Sequence, residues 1–323
     1  MERNNVSIFV SSLKKRYKDR EVLRDLTFSV PAGTIYALLG SNGAGKTTTV
    51  RILTTQLRPD GGTARVRGFD VTREPAKVHQ VISVTGQFSC LDESLTGTEN
   101  LLLMGRLRHL AAPVRSAVRL LEYFDLSSHA DRRVSGWSGG MKRKLDIAMS
   151  LVGSPDVLFL DEPTTGLDPQ SRLAMWQIVR RLRDGGMTVL LTTQYLEEAE
   201  QLADQIGILS EGKILAEGTP ARLKSLLPRG AVRFAFYSPE DLERAASLLG
   251  TPAGKWRTSC LPEKCTLTVF TDGRADTLGE LFCRLREDSI SVREFSEQSP
   301  SLEDVFLTMI KEEKSYGNNK TKL

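Results

Sequence analysis

A glycine-rich segment has the residue types and the spacing of a phosphate-binding loop. Its residues are Gly40, Ser41, Asn42, Gly43, Ala44, Gly45, Lys46 and Thr47, with Thr48 directly after them. Because glycines carry no Cβ atom, successive backbone N–H groups can turn toward one point. We expect these donors, together with the positive end of the following helix, to hold the β- and γ-phosphates of a nucleotide.

Three side chains of this segment add to the phosphate site. Lys46 places a positive charge beside the phosphates, the Thr47 hydroxyl is positioned to ligate Mg²⁺, and Thr48 is expected to contact the α-phosphate. The alternative is a glycine turn that matches the pattern by chance. A buried-strand pattern before the loop and a helical pattern after it favour the nucleotide site.

A second group of residues with chemical potential ends an apolar run. The run Val157–Leu160 is followed by the acids Asp161 and Glu162, and ligands of parallel sheets bind at the carboxyl ends of strands. Asp161 can hold Mg²⁺ through its water shell, and Glu162 is placed to polarise an attacking water. Such a run is weak evidence by itself, but with the glycine-rich loop upstream it predicts a nucleotide site.

A third segment, Ser138-Gly139-Gly140, opens a predicted helix. Ser138 is a good N-cap, and the two glycines leave backbone donors uncovered at the positive helix end, which makes that end an anion site. The glycine-rich loop already provides one anion site. A second one is useful if it serves the nucleotide held by another copy of the protein. A plain capped helix after a loop is the alternative.

The elements that position these residues follow from the apolar periodicity. Strands are predicted at Val6–Val10, Glu21–Val30, Thr34–Leu39, Val157–Leu160, Met187–Leu191 and Gln205–Leu209, and helices at about Lys46–Leu57 and within about Leu95–Gly153. Strands that are separated by helices indicate an α/β fold with a parallel sheet covered on both faces.

The pattern changes after Pro228, so residues 1–228 are predicted to form the nucleotide-binding domain, with a helical subdomain at about 95–153. Residues 229–311 alternate strand and helix patterns, which predicts a small α+β domain whose order suggests a ferredoxin-like fold. That order needs a strand near Trp256–Cys260, where the pattern is least clear. Residues 312–323 are polar and are expected to form a flexible tail.

Composition excludes few functions. With 323 residues, 40% hydrophobic and 26% charged, the chain suits two globular domains. The net charge of +4 fits an anionic ligand or an acidic membrane surface, but also an ordinary enzyme. The four cysteines show no metal-ligand spacing, so we expect reduced thiols in a cytosolic protein. No stretch approaches the roughly 18 apolar residues of a membrane span, so another chain would have to supply any membrane passage.

In this order and spacing, the glycine-rich loop, the Ser138-Gly139-Gly140 helix and the segment Asp161–Asp168 resemble an ABC transporter nucleotide-binding subunit, over about Val6–Leu227. Further stretches resemble the daunorubicin/doxorubicin-resistance type of exporter ATPase. These stretches are Val84–Gln87, Thr192–Ala199 and Ser301–Leu307. The resemblance implies a P-loop NTPase with a RecA-like core, an antiparallel β subdomain and a helical signature subdomain. It also implies that ATP and Mg²⁺ are bound and that ATP is hydrolysed.

The family pattern assigns further roles to matching positions. Tyr17 resembles the aromatic residue that stacks on adenine, and the alternative is a half-exposed strand tyrosine between Lys15 and Lys18. Gln87 matches the loop glutamine that reaches Mg²⁺ and the water and links to the membrane subunit, with an ordinary polar loop residue as the alternative. Asp168 matches the loop that touches the partner subunit, or it is a plain helix-capping aspartate.

Two departures from the family pattern matter. Trp137 and Met141 stand where the family usually has Leu and Gln, but the phosphate-contacting positions between them are kept. Gln194 stands where the family usually has a histidine that senses the γ-phosphate. A glutamine can donate and accept hydrogen bonds, but it cannot carry a proton's charge at neutral pH. The resistance type tolerates glutamine here, so Gln194 joins Glu162 and Lys46 as an expected catalytic residue.

The resemblance therefore implies a peripheral ATPase at the cytoplasmic face of the cell membrane. It would work as a pair, with a second copy or a homologous ATPase subunit, and would power export of a lipophilic drug or a lipid through separately encoded integral membrane permease subunits, without nucleic acid. One alternative is a soluble ABC ATPase that acts as an ATP-dependent binding module in translation or DNA repair. Such proteins usually have two ATPase units or a long coiled coil, which this sequence lacks. The other, a P-loop kinase or GTPase, would lack the Ser138-Gly139-Gly140 helix.

Overall fold

The computed structural model describes residues 6–86, 90–227, 230–250, 256–298 and 300–310. The chain forms two compact units, Met1–Pro220 and Ala221–Leu323. The division lies earlier in the chain than the change of sequence pattern after Pro228.

The elements of the first unit alternate between strands and helices in chain order. The strands are β1 (Val6–Tyr17), β2 (Arg20–Pro31), β3 (Ile35–Leu39), β4 (Gly61–Val66), β5 (Phe69–Asp70), β6 (Ile82–Thr85), β7 (Val157–Asp161), β8 (Thr188–Thr193), β9 (Gln205–Ser210) and β10 (Lys213–Gly218). The helices are α1 (Lys46–Leu53), α2 (Pro75–Val81), α3 (Gly97–Leu107), α4 (Pro113–Tyr123), α5 (Gly139–Ser150), α6 (Pro169–Asp184) and α7 (Leu196–Leu202), while α8 (Pro220–Lys224) begins at the last residue of this unit.

The central sheet has the strand order β10-β9-β3-β8-β7-β6. Strands β9, β3, β8, β7 and β6 are parallel to one another. Every residue of β3, β7 and β8 is buried, as is typical of strands that are covered on both faces. The predicted α/β fold with a parallel sheet is confirmed for these strands.

The β10 edge of the sheet was not predicted from the sequence, and β10 is antiparallel to β9. Ser210 pairs with Lys213 across the residues Glu211 and Gly212. Those two residues have positive φ angles of 42° and 78°, the backbone geometry of a tight two-residue hairpin. The hairpin returns the chain directly beside β9, where a parallel strand would need a long crossover.

A second sheet of the same unit has the order β2-β1-β4-β5 and is antiparallel. Its inward side chains share one apolar core with α1 and the central sheet, including Leu26, Val50, Leu53 and Phe159. This antiparallel subdomain is the one that the resemblance implied. Because α1 is packed between the two sheets in this core, the loop before it is held on a rigid base.

Helices α3, α4 and α5 occupy the span that the sequence predicts to be helical. Thr96 caps α3 through a capping box, in which its hydroxyl accepts from the Glu99 N–H and the Glu99 carboxylate accepts from the Thr96 N–H. The two bonds satisfy backbone donors that the first helical turn leaves open. Ser138 caps α5 in the simpler one-bond manner.

The second unit has its own sheet and its own core. Its elements are β11 (Ala231–Phe236), α9 (Pro239–Leu249), β12 (Arg257–Leu261), β13 (Thr266–Phe270), α10 (Ala275–Glu287) and β14 (Val292–Gln298), followed by a helix over residues 302–310. The strands are antiparallel in the order β12-β13-β11-β14. The β-α-β-β-α-β order is that of the ferredoxin-like motif. The strand expected near Trp256–Cys260 is present as β12.

Three observations concern the described residues as a set. None of their helices is long and apolar enough to cross a membrane. No group of three or more of their His, Cys, Asp and Glu side chains is arranged to hold a metal ion. The four cysteines are free thiols.

Candidate functional site

The glycine-rich loop connects β3 to α1, in the order that the sequence predicts. A Cβ atom on Gly40 would lie 2.5 Å from the carbonyl oxygen of Leu209. Gly45 has a φ of 115°, and a Cβ atom there would lie 2.7 Å from Cδ2 of Leu23. Only glycine fits both positions, because the backbone of the loop lies directly against neighbouring strands and one φ is left-handed.

Lys46 is the first residue of α1, and its side chain is 4% exposed. Its Nζ donates to the carbonyl oxygens of Gly40 at 2.8 Å and Ser41 at 3.2 Å. Nζ also lies 3.4 Å from Oε1 of Glu162. A buried ammonium group needs such partners. The loop and the turn after β7 therefore converge on this one cation.

Thr47 and Asp161 face each other across the same site. The Thr47 hydroxyl donates to Oδ1 of Asp161 at 3.4 Å, and the hydroxyl of Thr192 donates to the same oxygen. Asp161 ends β7 and is 6% exposed. Hydroxyl and carboxylate oxygens are the ligands that Mg²⁺ prefers, and one or two of them suffice beside substrate phosphates. The donor set therefore fits Mg²⁺ in the presence of a nucleotide.

Glu162 takes a left-handed backbone conformation, with a φ of 50°. Its N–H donates to the carbonyl oxygen of Thr192 at 3.1 Å, and the Thr165 hydroxyl donates to its Oε2 at 3.4 Å. Non-glycine residues rarely adopt this conformation, and those that do are concentrated at functional sites. The turn ends β7 at Asp161, while the carboxylate of Glu162 reaches Lys46.

A cavity of about 460 Å³ lies over the loop. It is lined by Arg20, Val22, Asn42, Gly43, Gly45, Lys46, Thr47, Thr48, Glu162, Thr165 and Gln194. The cavity is thus lined by most of the predicted phosphate loop, by Glu162, the predicted catalytic carboxylate, and by Gln194, the predicted γ-phosphate sensor. Three lining residues were not predicted from the sequence: Arg20 and Val22 on β2, and Thr165. The first two have the pattern of an ordinary strand and give no local signal.

Gln194 directly follows β8 and lines this cavity, half-buried. Its neighbours tie it to the phosphate loop: the Thr193 carbonyl oxygen accepts from the Gly40 N–H at 3.1 Å. The Tyr195 N–H in turn donates to the Thr193 hydroxyl at 2.9 Å. This turn is therefore fixed next to the loop, and the catalytic role of Gln194 stays a prediction.

Tyr17 ends β1 and pairs with Arg20 across a tight hairpin. Its side chain is 42% exposed, and Nζ of Lys15 lies 5.8 Å from the centre of its ring. Arg20 lines the cavity but Tyr17 is not among the described residues that do so. Stacking on adenine stays a prediction for Tyr17, next to the alternative of an exposed strand tyrosine.

Ser138 caps α5, since its hydroxyl accepts from the Met141 N–H at 3.3 Å. No described atom lies within 4 Å of a Cβ placed on Gly139, whereas a Cβ on Gly140 would lie 2.4 Å from the Ser171 hydroxyl oxygen. Gly139 is therefore open and Gly140 is packed against α6. Neither glycine, nor Ser138, is among the described residues that line the cavity over Lys46.

Trp137, which departs from the family pattern, is an anchor for the segment before α5. The side chain is 7% exposed, and a Cβ atom on Gly97 would lie 2.6 Å from its Cη2. The His129 ring centre lies 6.4 Å from the Trp137 ring centre, edge to face. The indole thus packs on the start of α3, and Gly139, two residues further along the chain, stays open.

Asp168 caps α6. Its carboxylate accepts from the Ser171 N–H at 2.9 Å and from the Ser171 hydroxyl at 2.6 Å, and these bonds lower the pKa of Asp168. The helix-capping alternative therefore has direct support, while the contact with a partner subunit stays a prediction. Gln87 lies outside the described residues.

Together, the residues at the cavity can hold a nucleoside triphosphate and act on its terminal phosphate. The loop and the start of α1 supply backbone donors, Lys46 supplies charge, and Glu162 supplies a carboxylate able to orient water.

Most of the chain is similar to known ATP-binding proteins. Residues 23–165 match the model of the ABC transporter family. The chain is 47% identical over 307 residues to the daunorubicin/doxorubicin resistance ATP-binding protein of Streptomyces peucetius, covering 94% of this chain and 92% of that protein. It is 42% identical over 317 residues to a doxorubicin resistance ATP-binding protein of Mycobacterium tuberculosis, covering 96% and 95%. A Nod factor export ATP-binding protein of Burkholderia lata is 46% identical over 214 residues, covering 66% and 70%.

Solved structures show the same architecture. The ADP conformation of an ATP-binding cassette of an ABC transporter is 26% identical, with a TM-score of 0.61, and the match covers 66% of this chain and 91% of that one. An ATP-binding subunit of an ABC transporter is 29% identical, with a TM-score of 0.60, covering 68% and 92%. The fold of the first unit is therefore that of an ATP-binding cassette of an ABC transporter. This is the fold that the glycine-rich loop before α1 and the Ser138-Gly139-Gly140 start of α5 indicate.

Proposed function

The chain belongs to the ABC transporter family, in the daunorubicin/doxorubicin-resistance group of its ATP-binding subunits, and on that premise we propose how it works. It is an ATP-hydrolysing enzyme whose hydrolysis powers export through a separate membrane permease. Mg²⁺ accompanies the ATP. The chain acts as a peripheral subunit at the cytoplasmic face of the cell membrane.

The observation that carries this function is the contact between Lys46 and Glu162. The cation for the transferring phosphate and the carboxylate for the attacking water lie 3.4 Å apart, in a cavity that the phosphate loop opens into. Phosphoryl transfer needs little covalent chemistry from the protein, and catalysis comes from positioning and electrostatic stabilisation. A site with these two groups side by side supports hydrolysis.

Each residue then has one task. The N–H groups of the loop and of α1 bind the phosphates, and Lys46 neutralises charge that develops on the terminal phosphate. Glu162 orients the water and accepts its proton, and the Gln194 amide bonds to the terminal phosphate. Thr47 and Asp161 would hold Mg²⁺, with Gln87 reaching it, and the bound ion would supply further positive charge to the phosphate oxygens.

The protein works as a pair, with a second copy or a homologous subunit. Ser138, Gly139 and Gly140 serve the nucleotide that the partner holds. Two observations support this: the start of α5 is not part of the cavity over Lys46, and Gly139 is open to approach. Exposed backbone N–H groups at a capped helix start are a suitable anion site for the partner's γ-phosphate.

The cargo is a lipophilic drug or a lipid. The support comes from relatives: two are named for resistance to daunorubicin or doxorubicin, and one for export of Nod factor. Co-purification with a polytopic membrane protein, followed by transport assays with that partner, tests this part. Co-purification with ribosomes or DNA instead would favour a soluble ABC ATPase.

The nucleotide site itself is tested by Lys46→Ala. Affinity for fluorescent ATP should fall about 10-fold to 100-fold, since hydrogen bonds to charged groups contribute about 1.5–3 kcal/mol. Lys77→Ala is the matched control, because that side chain is 59% exposed and pairs with Glu74 at the surface. Unchanged affinity and unchanged turnover in Lys46→Ala would overturn the proposed function.

A further inference from the structure

Helix α5 carries a buried ion pair about one turn after its first residue. Nη1 of Arg143 lies 3.2 Å from Oδ2 of Asp146, and the two side chains are 10% and 7% exposed. The adjacent Lys142 instead pairs with Glu93, whose side chain is 56% exposed. Exposed pairs contribute little to stability. A buried pair needs further hydrogen bonds to offset the loss of water.

Those further hydrogen bonds go to other segments of the chain. Nε of Arg143 donates to the carbonyl oxygen of Pro163 at 3.0 Å, and Nη1 donates to that of Gly86 at 2.9 Å. Oδ1 of Asp146 accepts from the Cys90 N–H at 3.3 Å. The ion pair therefore connects α5 with the turn after β7 and with the chain that follows β6.

The hydrogen bond to the Pro163 carbonyl connects Arg143 with the proposed catalytic site. Pro163 directly follows Glu162, so the hydrogen bond from Arg143 acts on the turn that carries the proposed catalytic carboxylate. The Gly86 carbonyl follows β6, which pairs with β7 in the sheet. One guanidinium group thus spans the distance between the helix that starts with Ser138-Gly139-Gly140 and the end of the strand that delivers Glu162.

Arginine suits this position better than lysine. Its planar guanidinium donates in several fixed directions, whereas an ammonium group is a point charge on a flexible stem. Burial lowers the pKa of Arg143, and the charges of Asp146, Glu198 and Asp161 oppose that change. The group stays a cation with its donors fixed toward two backbone carbonyls.

We propose that Arg143 is a positioning residue that connects the anion site at the start of α5 with the turn that carries Glu162. This inference rests on the proposed function, in which the start of α5 contacts the nucleotide of a second copy. When α5 moves to engage that nucleotide, the bond to Pro163 moves the Glu162 turn with it. Each copy then hydrolyses its own ATP efficiently only while it engages the ATP of its partner, so hydrolysis is cooperative.

The simpler explanation is that Arg143 only stabilises the fold. The two explanations differ in what is measured. A stabilising role lowers the melting temperature and leaves turnover per ATP-binding molecule unchanged. A positioning role lowers kcat with little change in KM, because the interaction matters for the transition state and not for binding. It also lowers the Hill coefficient for ATP hydrolysis.

The experiment uses the full-length protein with Arg143→Lys, Arg143→Met and, as matched control on the same helix, Lys142→Met. Steady-state hydrolysis gives kcat, KM and the Hill coefficient, and fluorescent ATP gives the number of binding-competent molecules. For both Arg143 variants we expect kcat to fall about 10-fold to 100-fold, as a small misplacement of a catalytic group does. KM should stay within about twofold of the wild-type value. The Hill coefficient should fall toward one, and Lys142→Met should match the wild type.

An unchanged kcat and Hill coefficient per binding-competent molecule in Arg143→Lys and Arg143→Met would overturn the proposal. If Arg143→Met fails to fold because the buried Asp146 carboxylate loses the nearby positive charge of Arg143, Arg143→Lys, which keeps that charge, decides between the same two outcomes. A wild-type protein that binds no ATP would contradict the proposed function instead, independently of any Arg143 variant.

Discussion

Replacing Glu162 with Gln removes a negative charge from the proposed catalytic site and leaves the shape of the side chain nearly unchanged. The carboxylate is the group that orients the attacking water, and a positioned acid–base group contributes about 10²–10⁴-fold to a rate. At 1.36 kcal/mol for each factor of ten, the variant should lose about 3–5 kcal/mol of transition-state stabilisation.

The rest of the site should survive this change. Lys46 keeps its hydrogen bonds to the Gly40 and Ser41 carbonyl oxygens, so its charge retains partners. The Glu162 N–H bond to Thr192 does not depend on the side chain. Loss of the ion pair should lower the free energy of unfolding without nucleotide by about 1 kcal/mol. ATP affinity should be equal or tighter, because the phosphates no longer compete with a carboxylate for Lys46.

The assay is phosphate release at saturating Mg-ATP, together with a fluorescent-ATP titration and sedimentation of the ATP-bound variant, which should form a stable dimer. Glu197→Gln is the matched control. It makes the same chemical change at a side chain that is 69% exposed and pairs with Arg172 at 3.7 Å. Hydrolysis by Glu162→Gln at the wild-type rate, or an equal loss of rate in the control, would refute the assignment.

Three further predictions concern Gln194, the glycines at the start of α5, and Glu198. Gln194→Ala should lower turnover about tenfold or more with ADP affinity near normal, and Gln194→His should retain substantial activity; equal rates for wild type and Gln194→Ala would exclude a sensor. Gly140→Ala should destabilise the fold by about 1–3 kcal/mol through overpacking, whereas Gly139→Ala should leave stability unchanged and weaken ATP-dependent dimerisation in the hydrolysis-deficient background; the opposite pattern would contradict the orientation of α5. Burial raises the pKa of Glu198 above its ordinary 4.5, so the native state binds more protons and the free energy of unfolding should fall as pH rises from about 4.5 through the raised pKa. Glu198→Gln should flatten that slope in urea unfolding, and an unchanged slope would exclude Glu198 as its source.

The core of the candidate site could be predicted because its chemistry is local in the sequence. A loop of consecutive residues lies between a buried strand and a helix, and two acids end another buried strand. The structure brings Lys46, Asp161 and Glu162 together because β3 and β7 are separated in the sheet only by β8. All three strands are parallel, so their carboxyl ends lie on one edge.

What the sequence could not reveal depends on contacts between distant segments. Arg20 and Val22 reach the cavity only because β2 packs over α1. Strand β4 buries only Ala64 and Val66 fully, too few residues for a periodic signal. Arg143 stands between Lys142 and Lys144, a run of charges that is typical of a solvated helix face. Only the fold shows that its guanidinium is enclosed between two backbone carbonyls.

Two apolar clusters among the described residues have a consequence for how the protein unfolds. The buried residues of one cluster lie between Ile8 and Leu209, and those of the other between Val232 and Ile290. Two cores with no described residue in common favour separate transitions, so a calorimetric scan of the full-length chain should resolve two of them. ATP at 100 times its dissociation constant should stabilise only the first unit, by about 2.7 kcal/mol. The transition of the second unit then stays in place and serves as an internal temperature reference in every titration.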